Sequence, residues 1–123
     1  MRVIIAGSRR IQQRRYVDEA MAHAWFEVSQ VISGAAPGVD RIGETWARSR
    51  RIPVVQVFAE WGRMGARAGL VRNLDMSRMA DALVAVWDGH STGTRHMICT
   101  MLELQKPVAA FIVAHDARLL KII

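Results

Sequence analysis

The chain has one cysteine, Cys99, so no disulfide can close within it. Cys99 falls on the apolar face of a helical stretch, where a core thiol is expected rather than a reactive one. No apolar run approaches the ~20 residues that a bilayer span requires. The chain passes from Arg2 straight into a strand-like run with no small-residue cleavage site, so no signal or transit peptide is expected. The expected compartment is the cytosol, with no membrane partner. His90 and His96 straddle a turn, and neither a cysteine nor a second carboxylate completes a ligand set around them. No metal and no cofactor is therefore expected. Linkers, internal repeats and low-complexity stretches are also missing. The 123 residues, 51% hydrophobic and 23% charged, are one domain, 1–123, with enough chain to bury a core.

Acidic residues are the scarcer charge, 11 against 17 basic ones, which leaves a net charge of +6. The basic residues are mostly arginine, whose planar fork pairs bidentately with phosphate oxygens. The densest clusters are Arg9-Arg10, Arg14-Arg15 and Arg48 to Arg51. No aromatic residues interleave them as a single-strand-binding platform requires, so nucleic acid is permitted by the charge but not favoured.

Short apolar runs give strands at Val3–Ala6, Val31–Ile32, Pro53–Phe58, Ala82–Trp87 and Val108–Val113, the first, second and fourth ending in glycine-containing turns and the fifth entered at Pro107. Between them, apolar residues at helical spacing predict helices over Arg15–Ser29, Val39 to about Arg50, Ala68–Ala80 and Thr94–Gln105. On these faces Trp25 and Trp46 are expected in the core. The segment Ala59 to Leu70, with three glycines and Trp61, reads as a loop that can reach over a site. From Ala114 the chain reads as a tail with room for a short helix. Alternation of strand and helix calls for a doubly wound α/β fold with a parallel sheet of about five strands. A strand order of 3-2-1-4-5 places the first and fourth strands side by side, with the ligand crevice beyond their carboxyl ends.

In that order three polar turns share one edge: Gly7-Ser8-Arg9, Ser33 to Asp40, and Asp88 to Arg95. The third is a strand, a Gly/Ser/Thr turn and a helix start. Such a start presents backbone N–H groups without partners at the positive end of the macrodipole, and so binds anions. Convergence of the three turns points to a phosphate or nucleotide site. Gly34, Gly38, Gly89, Ser91, Gly93 and Thr94 are candidates for backbone and hydroxyl contacts, although Gly93-Thr94 alone also fits an ordinary N-cap. Gly7, Ser8, Arg9 and Arg72 are candidates for phosphate, and Arg72 is also the candidate catalytic residue. Asp40 either caps its helix or meets a ribose hydroxyl or base edge. Asn73 either meets a ribose or base or holds its loop. Trp61 either stacks on a base or packs under its loop. Met64, Met76, Met79, Met97 and Met101 either line an apolar interface between copies of the chain or belong to the core.

The same residues resemble a known family. Gly7-Ser8-Arg9, Ser33-Gly34-Ala35-Ala36-Pro37-Gly38-Val39-Asp40, Ala68-Gly69-Leu70-Val71-Arg72-Asn73 with Met76 and Asp81, and Trp87-Asp88-Gly89 through Ser91-Thr92-Gly93-Thr94-Arg95 resemble the YspA-type branch of the SLOG superfamily. That superfamily also holds the Lonely Guy phosphoribohydrolases and the DNA-processing protein A family. The resemblance spans roughly Arg2 to Val113 and implies a Rossmann-like fold, a nucleotide-derived ligand and homo-oligomers. Lonely Guy enzymes cleave the N-glycosidic bond of a nucleoside monophosphate, with a Gly-Gly-x-Gly-Thr motif and a glutamate shortly after it. Here Gly93 and Thr94 match the Gly-Thr pair, His90-Ser91 replace the first glycines, and the glutamate position is Met97. Glu103 lies nine residues past Thr94, about 13 Å further along a helix, and does not replace it. Asp40, Glu60, Asp75 and Asp88 are the remaining candidates for an acid.

The expected function is binding of a phosphorylated nucleotide or nucleotide-sugar of adenosine or ADP-ribose type, as a sensor or processing module. The alternatives are N-glycosidic hydrolysis of a nucleotide and nucleic-acid binding.

Overall fold

The computed structural model describes all residues, 1–123. Its strands are β1 (Arg2–Gly7), β2 (Gln30–Ser33), β3 (Val54–Gln56), β4 (Ala82–Trp87), β5 (Val108–Val113) and β6 (Leu119–Lys121). Its helices are α1 (Arg14–His23), α2 (Val39–Ser49), the short α3 (Trp61–Met64), α4 (Ala68–Met79) and α5 (Thr92–Glu103). They form one sheet in the order β3-β2-β1-β4-β5-β6. The first five strands are parallel, in the predicted 3-2-1-4-5 order, and β6 runs antiparallel to β5. The fold is Rossmann-like α/β.

Alternation along the strands divides the core between the two faces of the sheet. Val3 and Ile5 of β1 join Val84 and Val86 of β4 under α1 and α2, with Val17, Ala20 and Trp46. Ile4 of β1 and Leu83 of β4 pack on the other face with Met76, Met97 and Met101 of α4 and α5. These three methionines are at most 2% exposed and build the core, while Met64 and Met79 are only partly buried.

Five expectations change. The segment Ala59 to Leu70 is not a loop: from Trp61 it folds as α3, a 3-10 turn over Gly65–Arg67 and the start of α4, so its three glycines fall within helical turns. The tail is not a helix: Ala114 N–H bonds the Arg118 carbonyl, and β6 then pairs back on β5. Helix α1 stops at His23, six residues before Ser29, because Ser29 N–H is needed at the Met1 carbonyl to start β2 beside β1. Beyond that stop, Trp25 leaves the helical face and is 69% exposed, packed edge-on against the buried Phe26. Cys99 is exposed as well, because α5 turns Met97, Ile98, Thr100 and Met101 inward and puts position 99 on its outer side. No helix is long and apolar enough to cross a membrane.

Candidate functional site

Beyond the carboxyl ends of β1 and β4 lies a cleft of about 740 Å³. That volume falls in the range of small-molecule and cofactor sites. All three predicted turns reach it: Gly7 and Arg9 from the first, Asp40 from the second, and Ser91, Gly93 and Thr94 from the third. Arg72 and Asn73 of α4 complete the wall, and Trp61 of α3 stands at its side. The remaining candidates do not line it. Ser8, Gly34, Gly38 and Gly89 hold the turns in place.

Ser8 is fully buried and is not a phosphate ligand. Its N–H bonds the Val86 carbonyl (3.1 Å) and its hydroxyl accepts from Asp88 N–H (3.0 Å), which ties the first turn to the third. Gly38 has φ of 81° and passes so close to the first turn that a Cβ would lie 2.5 Å from the Arg9 carbonyl oxygen. Only glycine meets both conditions. Gly34 sits between Arg72 and Asp40, where a Cβ would lie 2.8 Å from Arg72 Nη1 and from Asp40 Oδ2. Gly89, φ 85°, turns the chain after β4.

The third turn is held by Asp88, whose Oδ1 accepts from the N–H groups of His90 and Ser91, both at 2.8 Å. Burial opposes the charge of Asp88, but these bonds outweigh it and hold the carboxyl below its usual range. Ser91 is the N-cap of α5, yet its hydroxyl does not cap the helix. It pairs instead with the Thr94 hydroxyl at 2.8 Å. The N–H groups of Thr92, Gly93 and Thr94 are thus left without partners in the chain, at the positive end of a twelve-residue helix that opens on the cleft. Gly93 meets nothing within 4 Å on its Cβ side.

Arg72 spans two elements. Its Nη1 donates to the Gly34 carbonyl (2.7 Å) and its Nε to Asn73 Oδ1 (3.1 Å). Burial and the nearby Arg9 charge weaken its hold on the proton, while Asp40 strengthens it, and the net result is a pKa below the usual guanidinium value. It stays charged near neutrality. Asn73 in turn donates to the Gly93 carbonyl (3.2 Å) and lies 3.2 Å from His96 Nδ1. The second turn, α4 and the start of α5 are thereby fixed to one another through one arginine and one asparagine.

Among the four candidate acids, Asp40 and Asp88 line the cleft. Glu60 is ion-paired to Arg63 outside it, and Asp75 is exposed on α4. Asp40 is 5% exposed, and burial pushes its carboxyl up to about 6, against the Ala36 N–H that it accepts and the charge of Arg72. Because the folded-state pKa is above the unfolded 3.8, the folded protein binds the proton more tightly. Stability is then greatest below the unfolded pKa and falls as pH rises through the folded one. Relative to Asp40→Asn, the wild type is expected to lose on the order of 3 kcal/mol between pH 4 and 7, read from denaturant midpoints across pH. Parallel pH profiles of the two proteins would contradict this assignment.

Sequence reading passed over Glu44, which lies one turn after Asp40 on the same face of α2. It is 1% exposed and accepts from Ser33 Oγ (2.6 Å) and Gln56 Nε2 (2.9 Å), with Arg48 at 3.3 Å. Ser33 Oγ also accepts from Ala35 N–H (3.0 Å), which holds Ala35 at a φ of 58°. This network shapes the second turn from beneath. The i, i+4 spacing to Asp40 was its only signal in the sequence.

A Rossmann-like sheet whose three polar turns gather, with a half-buried arginine, at an uncapped helix start brings together the motifs on which the sequence resemblance rests. The chain belongs to the YspA, cpYpsA-related SLOG family, whose model matches residues 1–64. It is also similar to the Gene 61 protein of Mycobacterium phage D29, with 37% identity over 114 residues that cover 85% of this chain and 89% of the phage protein. No solved structure matches it. The family match covers β1 through α3 and so includes the first two turns and Trp61, while Arg72, Asn73 and the α5 start follow it.

Proposed function

We propose that the protein binds a phosphorylated nucleotide or nucleotide-sugar in this cleft. The observation that carries the reading is the start of α5, where three N–H groups without partners face a cleft that also holds Arg72. A phosphate there accepts from Thr92, Gly93 and Thr94 and pairs with the free side of the Arg72 fork. Asp40 stands on the opposite turn, as an acceptor for a ribose hydroxyl. SLOG membership supports a nucleotide-related role in general terms.

Gly93→Val tests the reading without disturbing the fold. The added side chain starts in open space and enters the cleft above the N–H groups. The variant is expected to melt within ~2 °C of the wild type, as surface substitutions do. It is expected to lose the thermal stabilisation that AMP or ADP-ribose gives the wild type by mass action. Equal stabilisation of both proteins would remove α5 as the phosphate site.

A second reading, hydrolysis of the N-glycosidic bond, is favoured by the carboxyl of Asp40, raised to about 6 and facing the cleft where Met97 cannot act. Protonated Asp40 would give its proton to the leaving base as the C1′–N bond breaks. Water would add at C1′ and return a proton to Asp40. Release of free base by the wild type and not by Asp40→Asn is its signature.

A further inference from the structure

The four tryptophans have different roles. Trp46 is buried under α2, Trp25 packs on Phe26 away from the cleft, and Trp87 commits its indole N–H to the Ser91 carbonyl at 3.0 Å. Trp61 is the one that lines the cleft, and it is 50% exposed. Exposure alone does not set Trp61 apart, since Trp25 is 69% exposed; what does is that its open ring surface lines the cleft. Its placement is also specific. At Gly69 of α4 an added Cβ would stand 3.2 Å from Trp61 Cη2, so the glycine makes room for the edge of the indole. The Arg9 guanidinium lies over the ring, 5.8 Å from its centroid. Arg9 is exposed, with no carboxylate partner, and lines the same cleft.

We propose that Trp61 is the base-recognition platform of this cleft: the ligand's aromatic base stacks on the Trp61 ring beside Arg9, while its phosphate lies at the start of α5. The proposal rests on the nucleotide reading above and narrows it to ligands that carry a planar base, as opposed to sugar phosphates. Stacking on an indole accepts any base, since every base presents a π-face. Arg9 adds a cation to the same stack and a charge toward the phosphates. Trp61 is on α3 and the phosphate donors are on α5, so the base and phosphate ends of the ligand are read by separate elements.

The test compares AMP with ribose 5-phosphate by calorimetric titration of the wild type, Trp61→Leu and Trp61→Phe. Trp61 is half-exposed, so both variants are expected to fold, with circular dichroism as the check. The expected result is that Trp61→Leu weakens AMP by about tenfold or more and leaves ribose 5-phosphate unchanged. Trp61→Phe should retain most of the AMP affinity. Equal AMP affinity in wild type and Trp61→Leu would overturn the platform while leaving the nucleotide reading intact. Equal weakening of both ligands would overturn it too, since the residue would then shape the cleft and not read the base. Failure of the wild type to bind AMP, ribose 5-phosphate or ADP-ribose, titrated alongside, would overturn the nucleotide reading itself, and the platform with it.

Discussion

Arg72→Ala is expected to lower nucleotide affinity by about 100-fold or more, the scale of losing a charge-assisted phosphate contact in a partly enclosed site. The same change should cost stability on the order of 2–3 kcal/mol, because hydrogen bonds from a charged donor are the strong ones. Two such bonds disappear, to the Gly34 carbonyl and to Asn73 Oδ1. The Asp40 carboxyl also loses the positive charge that holds it down, so its pKa should rise further above about 6. The affinity loss is thus accompanied by a shift of the stability profile to higher pH, which a general unfolding defect would not produce. Arg72→Lys should restore the charge without restoring binding, because a single ammonium cannot bond Gly34 and Asn73 and still present a fork to phosphate. Titration and pH-dependent denaturation of the two variants read these outcomes. Undiminished AMP affinity in Arg72→Ala would remove the arginine from the site.

Gly7→Ala is expected to be the most destabilising single-methyl change in the chain. Gly7 ends β1 where it runs beside β4, and a Cβ there would lie 2.0 Å from the Val86 carbonyl oxygen and 2.8 Å from Val39. Neither neighbour can give way. The Val86 carbonyl is the acceptor for Ser8 N–H, and Val39 is fully buried at the start of α2. The expected cost exceeds about 4 kcal/mol, with a fall in melting temperature of more than ~10 °C. A melting temperature within a few degrees of the wild type would mean that the first turn is looser than its packing indicates. By contrast, Gly93→Val adds more atoms at a position in the same cleft and is expected to leave the fold unharmed.

The parallel strands were legible in the sequence because each is a short apolar run; glycine-containing turns close β1, β2 and β4, and a proline leads into β3 and β5. Their order is that of a doubly wound sheet, which strand–helix alternation calls for, and it is this order that gathers the polar turns on one edge. The edge strand β6 was not, because Leu119–Lys121 is three residues long and owes its form to a partner, β5, rather than to any pattern of its own. Helical periodicity carried on past His23 in the sequence but not in the protein, since the need to place Gln30 beside Arg2 overrode it. At the site, membership of a turn was readable and the direction of each residue was not. Ser8 and Gly93 belong to similar motifs, yet one is sealed against β4 and the other opens on the cleft. The Glu44 network and the reach of Arg72 to Gly34 join residues far apart in the chain, and no local spacing encodes them.

Calorimetric titration of AMP and ADP-ribose into the wild-type protein tests the central claim most directly, run at two salt concentrations with a short single-stranded DNA alongside. The account predicts saturable binding of at least one nucleotide at one site per chain. It also predicts an affinity that changes little with salt, because a pocket neutralises few phosphates. No heat from either nucleotide, with DNA binding that falls steeply as salt rises, would contradict it and make the cleft's arginines part of a nucleic-acid surface.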